Sequence, residues 1–387
     1  MYLNFKLVLN VLIFFTLVLN LNVCIAQVNT GENASLSFKL GEQVFEPMRT
    51  NKIGIADLDG DGDLDAVFAN MGFNNSQVLF NDGKGYFIDS GQKLTQQGHG
   101  IGIGDLDGDG DPDLFIPCAG YSADNGQTWS NLPSKIYFND SKGRFIDSGQ
   151  DLGDKELSGT GIHLADIDND GDLDALVSYY PTENKIYIND GKGNFSDTGK
   201  NFPDLIIWGD FDSNGTVDFF EKIPDTGYRT MLNDGKAAFT ESWSLYDNLT
   251  VRSFGAAGDI DNDGDLDIVM TNGGRADPAP SRVFVNNGKG NFTDSGQELF
   301  AAKIGRVGLH DLTGDGYLDA VILSFELPNQ IWLNDGSGRF YYSGISLEDN
   351  NAFHSCEFGD FDSDGDVDFF LGNYFGGRNQ LWFNKKK

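Results

Sequence analysis

Seven short segments carry aspartates at a spacing suited to one kind of chemistry, the wrapping of a hard divalent cation. They read DLDGDGDLD (57–65), DLDGDGDPD (105–113), DIDNDGDLD (166–174), DFDSNGTVD (210–218), DIDNDGDLD (259–267), DLTGDGYLD (311–319) and DFDSDGDVD (360–368). Oxygen-bearing side chains recur at positions 1, 3, 5 and 9. These are Asp57, Asp59, Asp61 and Asp65, then Asp105, Asp107, Asp109 and Asp113, then Asp166, Asp168, Asp170 and Asp174. The fourth set is Asp210, Asp212, Asn214 and Asp218, and the fifth Asp259, Asp261, Asp263 and Asp267. The last two are Asp311, Thr313, Asp315 and Asp319, and Asp360, Asp362, Asp364 and Asp368. Position 6 is Gly throughout. Calcium takes six to eight oxygens, and a Gly lets the backbone turn sharply enough to wrap it. Position 7 is expected to add a backbone carbonyl, and the apolar residues at 2 and 8 (Pro112 in one copy) to anchor the loop.

The alternative is a solvated acidic turn. It fails on repetition, because 31 Asp in seven like settings repel without a counter-ion. An EF-hand needs Glu at position 12 and flanking helices. Only Glu221 falls there, and the flanks (AVFA, ALVSYY, IVM) read as strands. Up to seven Ca2+ are therefore predicted, with weaker binding where Asn214 and Thr313 replace a carboxylate. Seven ions add +14 and move the formal charge from -32 to about -18.

The elements that must hold these loops repeat with them. The first Asp recurs at intervals of 48, 61, 44, 49, 52 and 49 residues. After each loop come an apolar run, a variable loop and a strand ending in Asn: VLFND at Val78, IYFND at Ile136, IYIND at Ile186, VFVNN at Val283 and IWLND at Ile331. A turn and strand of the type GKGxFxDSGQ follows, near Gly83, Lys142, Gly191, Gly235, Gly288 and Gly336. After the last loop the chain reaches only Leu381-Trp382-Phe383-Asn384, so the seventh copy lacks this strand. A matching stretch, Ser37–Gln43, stands before the first loop. A linear array would leave two open edges, whereas a ring closed by that stretch leaves none. The fold class predicted is all-β, a seven-bladed β-propeller closed by the N-terminal strand, with one calcium loop per blade.

Composition agrees with a folded, exported chain. Of 387 residues, 39% are apolar and 31 are Phe, enough for a large core. A surplus of 59 acidic over 27 basic residues argues against a general nucleic-acid-binding surface. Residues 1–26 carry one charge, Lys6, then an apolar run ending Cys24-Ile25-Ala26, which reads as a signal peptide cut after Ala26. Asn10, Asn20 and Asn22 weaken the alternative of a retained anchor. The mature chain, 27–387, is then the propeller, and it is expected in the periplasm, secreted or at the cell surface, with no membrane span. Cys118 and Cys356 remain, and their spacing leaves open whether they pair.

The repeats resemble the FG-GAP/VCBS repeats of secreted bacterial proteins and integrin α-chain propellers, across essentially all of 30–387. The FG and GAP tripeptides themselves are poorly kept. The resemblance implies metal loops on a lower face and ligand contacts on an upper face, from the loops entering each inner strand and those between second and third strands. Function is expected where blades differ. Five and six residues before the first Asp stand Arg306, His354, Asn51 with Lys52, and His99, in contiguous blades 6, 7, 1 and 2. In the family geometry they form a basic arc at the channel mouth. Tyr374, Phe375, Arg378 and Arg275 lie on nearby loops, and the insertion 117–134 of blade 2 adds Tyr121 and Trp129. Cations with aromatic rings suit an anionic sugar. The leading expectation is recognition of an acidic (uronic-acid or sulfated) carbohydrate, with Lys52, Arg306, Arg378, Tyr121 and Trp129 as ligand contacts. A polysaccharide lyase or sugar dehydratase is the second, with His99, His354 and Tyr374 as acid and base in β-elimination. A surface module gripping a protein partner is the third. Against all three, each single histidine (His99, His163, His310, His354) is more often a hydrogen-bonded packing residue near the axis, and His310, next to a metal Asp, is read as structural.

Overall fold

The computed structural model describes residues 26–30, 34–72, 74–121, 130–153, 157–180, 183–202, 205–223, 227–246, 254–273, 278–347 and 353–385. It is all-β, with strands arranged as seven antiparallel sheets round a common axis. Inner strands are Thr50–Ala56, Gly102–Gly104, Ser158–Ala165, Leu205–Gly209, Phe254–Gly258, Arg306–His310 and Phe353–Gly359, for blades 1 to 7. Each acidic loop joins an inner strand to the second strand of its blade, whose first residue is the position-9 Asp. All seven loops therefore lie on one face. Among the described residues no helix is long and apolar enough to cross a membrane.

The seventh sheet is assembled from both ends of the chain. Ala34–Leu40 pairs antiparallel with Gln380–Asn384, with Phe38 opposite Asn384 and Leu40 opposite Trp382. Residues 26–30 add one further strand outside it. The displaced strand is thus where its likeness to the missing one places it. The cores lie between blades rather than within them. At the closing seam Phe45 fits among Phe68 of blade 1 and Phe370 of blade 7, at ring centroid distances of 5.8 and 5.1 Å. Each such ring contributes about 1.5–3 kcal/mol by leaving water, so the seam is as apolar as the others.

Glycines set the blade spacing. The residue before the first Asp is Gly104, Gly209, Gly258 or Gly359 in blades 2, 4, 5 and 7. A Cβ on each would meet the position-8 leucine of the next blade (Leu173, Leu266, Leu318, Leu64) at 2.4, 2.8, 2.6 and 2.6 Å. Where that residue is larger (Ala56, Ala165, His310), the next blade has Pro112, Val217 or Val367 instead of Leu. The position-8 side chain is therefore an inter-blade contact, matched in size to its neighbour.

Cys118 and Cys356 are free thiols in blades 2 and 7. Burial raises Cys118 to about 11 and holds Cys356 well above the usual thiol value, so neither is a ready nucleophile.

Candidate functional site

The acidic loops are wound by hydrogen bonds from their own backbone to the first Asp. In every blade the position-6 Gly N–H donates to Oδ2 of the first Asp, at 2.8–3.1 Å. That Gly has φ between +85° and +99°. Nothing lies within 4 Å of where its Cβ would be, so conformation alone demands it. Position 4 is left-handed in all seven copies as well, at Gly60, Gly108, Asn169, Ser213, Asn262, Gly314 and Ser363. Its restriction to Gly, Asn and Ser was a readable signal of that demand. The apolar position-2 residues are buried, at 0–1% exposure.

The position-9 aspartates do a second job. Each is fully buried and accepts two backbone hydrogen bonds, as Asp65 does from Leu58 N at 2.9 Å and Asn81 N at 2.8 Å. Burial raises Asp65, Asp113, Asp174 and Asp218 to about 6, and Asp267, Asp319 and Asp368 to about 7. The position-3 carboxyls Asp59, Asp107, Asp168, Asp212 and Asp261 are also raised, first by burial.

These residues fit a cation. Ligand oxygens of Asp57, Asp59 and Asp61 lie within 4.8 Å of one another, as do those of Asp105, Asp107 and Asp113, and of Asp166, Asp168 and Asp174. Oxygens about 2.3–2.6 Å from a shared calcium are separated by up to about 5 Å. The buried Oδ1 atoms of Asp168, Asp212, Asp261 and Asp362 have no hydrogen-bond partner. Four orphaned carboxylate oxygens at one repeated position call for a positive partner.

The strand-ending asparagines prove to be clamps. Asn81, Asn139, Asn189, Asn233, Asn286, Asn334 and Asn384 each donate Nδ2–H to the position-2 carbonyl of the preceding blade, at 2.7–2.9 Å. The Gln of the DSGQ motif is a second clamp on the next blade. Gln92 donates to Gly143 O at 2.6 Å and accepts from Phe145 N at 2.8 Å, Gln150 and Gln297 repeat the pattern, and Gln43 makes both bonds to the backbone of Phe87. Both residues were visible as repeated letters, but neither letter tells which blade it holds.

At the other end of the inner strands, about 17 Å away along five residues, a polar chain crosses the channel mouth. His354 Nδ1 meets Asn51 Oδ1 at 2.9 Å, and the Asn51 amide reaches His99 Nδ1 at 2.6 Å and also His99 O. His99 Nδ1 lies 2.8 Å from Thr160 O. His354 Nδ1–H donates to Asn51 Oδ1 and Asn51 Nδ2–H donates to His99 O, while His99 Nδ1 either donates to Thr160 O or accepts from Asn51, not both. His354 Nε2 is then an acceptor. Burial lowers His99 to about 4, with the Arg306 and Arg49 charges acting in the same direction. Burial, Arg306 and His99 hold His354 well below the usual imidazole range. Both are neutral at pH 7. Arg306 Nη2 stands 3.5 Å from His354 Nδ1, with its guanidinium 3.2 Å over the Phe254 ring.

Aromatic rings edge this mouth. Tyr374 stacks on His354 at 4.4 Å, Arg49 sits 5.3 Å over Tyr374, and the exposed Phe375 touches Tyr374 and Phe325 at 4.8 and 5.0 Å. Arg49 was not singled out in the sequence because it precedes the inner strand. Lys52 sits apart from the chain in one respect: it forms an ion pair with Glu357 of blade 7, a partner its own segment does not reveal. Arg378 is exposed on the same loop as Tyr374. Gly120–Tyr121 pairs with Ser130–Asn131 in a small ribbon; Trp129 and Arg275 lie outside the described residues. His163 stacks on Trp208 and His310 packs against Phe358 within the channel. A groove of about 610 Å³ between blades 1 and 2, lined by Lys93, Lys135, Tyr137 and Arg144, lies away from the mouth. Its Lys135 is paired with Asp147 and Asp151.

A model described as an FG-GAP-like repeat matches residues 57–116, 121–177, 166–221, 259–310 and 311–371. No curated protein matches the chain by sequence. Among solved structures, one similar fold is an Agrocybe aegerita lectin described for specific recognition of non-reducing terminal N-acetylglucosamine. It is 19% identical, with a TM-score of 0.53, over 84% of this chain and 86% of that one. Another is BBS1N in complex with ARL6DN, 10% identical with a TM-score of 0.58, over 89% of this chain and 95% of that one. A second structure of that complex, soaked with lead, gives 9% and 0.56 over the same shares. At these identities the likeness is one of fold.

Proposed function

The chain belongs to the FG-GAP-like repeat family, and on that premise we propose that it is an exported propeller, held by calcium in its acidic loops, that recognises an acidic carbohydrate at the opposite mouth of its channel. The observation that carries this reading is the run from Thr160 through His99, Asn51 and His354 to Arg306, which spans five contiguous blades. Repeated parts of the ring serve the ring. This run uses residues that differ from blade to blade, so it is free to specialise.

The chemistry suits a sugar with a carboxylate or sulfate. Arg306 and Arg49 are cations on a protein of charge -32, so they form a local exception for an anion to find. Two neutral imidazoles offer ring nitrogens as hydrogen-bond partners to hydroxyls. Tyr374 and Phe375 offer ring faces to the apolar side of a pyranose. The lectin of like fold supports a saccharide as the ligand class and says nothing of its charge.

Binding is preferred to β-elimination on physical grounds. A general base works best with a pKa near the operating pH, and His99 at about 4 is far below it. The stacked His354–Tyr374 pair is what keeps the lyase reading in view.

A glycan array in calcium tests the proposal, run on the wild type and on Arg306→Ala, Arg49→Ala and Tyr374→Ala. Selective retention of uronate or sulfated glycans, lost by about tenfold or more in the variants, is expected. Retention of none, or retention that ignores Arg306, would overturn it. Release of an unsaturated product from a bound uronate polymer would move the assignment to the lyase. Export is tested by the N-terminus of the mature protein, expected at Gln27.

A further inference from the structure

The seventh acidic loop differs from the other six in one way that the closing strand explains. Lys385 Nζ lies 2.7 Å from Asp362 Oδ2 and 2.9 Å from Asp364 Oδ2, the carboxylates at positions 3 and 5. Of the ion pairs among the described residues, only those of Lys385 end on position 3 or 5 of a loop. The ammonium is delivered by a fixed backbone. Lys385 N donates to Ser37 O at 2.8 Å, and Ser37 Oγ donates to Lys385 O at 2.8 Å.

The same register elsewhere, one residue after the clamping Asn, holds Asp82, Asp140, Asp190, Asp234, Asn287 and Asp335. Those side chains cap the turn into the fourth strand, as Asp82 Oδ1 does by accepting from Lys84 N and Tyr86 N. Blade 7 has no such turn, because its fourth strand is Ala34–Leu40. With the capping demand gone, the position is free to carry a cation, and it carries one beside the carboxylates that would hold the ion.

We propose that Lys385 is a built-in counter-ion of the seventh loop, competing with calcium for Asp362 and Asp364. The proposal rests on the calcium reading above. A tethered ammonium acts at high effective concentration, so the seventh loop is the last of the fully acidic loops to fill. The blade that unites the two chain ends then keeps its acidic loop neutralised when calcium is scarce.

Lys385→Met keeps side-chain length and the two backbone bonds to Ser37. Calcium titration by calorimetry should show one site, the weakest of the five fully acidic loops in the wild type, strengthened about tenfold or more in this variant. In chelator the variant should melt below the wild type. Asn287→Lys, which places an ammonium in the same register of blade 5, should weaken one site by a similar factor. Its isotherm decides the matter if Lys385→Met does not fold. Isotherms alike in all folded proteins would overturn the role of Lys385 and leave calcium standing. A wild type that binds no calcium would overturn both.

Discussion

Asn81 of the first blade donates its amide proton to Phe361 O of the last, at 2.9 Å across 280 residues of sequence. The same bond joins every other pair of adjacent blades, so the seam between chain ends is chemically the same as the six others. Replacing a buried partner leaves the remaining group unsatisfied, at a cost of about 1–3 kcal/mol. Asn81→Ala and Asn139→Ala should therefore lower stability by similar amounts in denaturant melts. A much smaller effect at Asn81 would mean that the ring is not closed there.

Gly359 and Leu64 make a size-matched contact across that seam, 2.6 Å from a would-be Cβ. Gly359→Ala is expected to cost about 1–3 kcal/mol by overpacking. Leu64→Val should recover much of it, since Ala165 already shares a core cluster with Val217 between blades 3 and 4. A double-mutant cycle measures the coupling, and strictly additive effects would contradict the contact.

Chelation should destabilise the protein more than it alters the ligand face. Thermal melts with calcium and with EDTA are expected to differ clearly, while near-ultraviolet signals from Tyr374 and its neighbours stay close to their calcium values. An unchanged midpoint in EDTA would remove the structural role of the metal.

The metal-free protein should lose stability as pH rises. The position-9 aspartates stand at about 6 to 7 when folded, above the usual carboxylate value near 3.9. Between those values the folded state binds more protons than the unfolded one, so stability falls from about pH 4 to pH 7. Calcium favours the ionised carboxylates and should flatten or reverse the slope, and its affinity should drop as pH falls through 6 to 7. Melts in EDTA at pH 5 and pH 8 test the sign; a higher midpoint at pH 8 would contradict it.

Severing the mouth at its hub is the sharpest test of the ligand face. Asn51 is 6% exposed and links His354 to His99. Asn51→Leu should weaken glycan binding by about tenfold or more with little change in calcium binding, because the loops lie at the far end of the strands. Equal losses of both would show that the two faces are not independent.

Blade number, ring closure and the acidic loops were legible because each is written in every repeat. A nine-residue pattern needs only local backbone geometry, and a missing strand with a spare copy at the other end admits one simple closure. The left-handed demand at position 4 was present in the same letters, in the run of Gly, Asn and Ser.

Contacts between blades were not legible in the same way. Asn81, Gln92 and Leu64 recur plainly, yet each does its work on a neighbouring blade, 51 residues away in sequence for Gln92 and 280 for Asn81. Likewise Lys52 reads as a free cation until Glu357 is brought beside it, and His99 as an ordinary imidazole until the surrounding strands bury it. By itself the sequence determined what repeats: fold class, closure and the oxygen-rich loops, all products of short-range stereochemistry. The tertiary structure decided what differs, namely which cations are neutralised, which histidines stay uncharged and where Lys385 delivers its charge, because desolvation and ion pairing depend on groups that only the closed ring brings together.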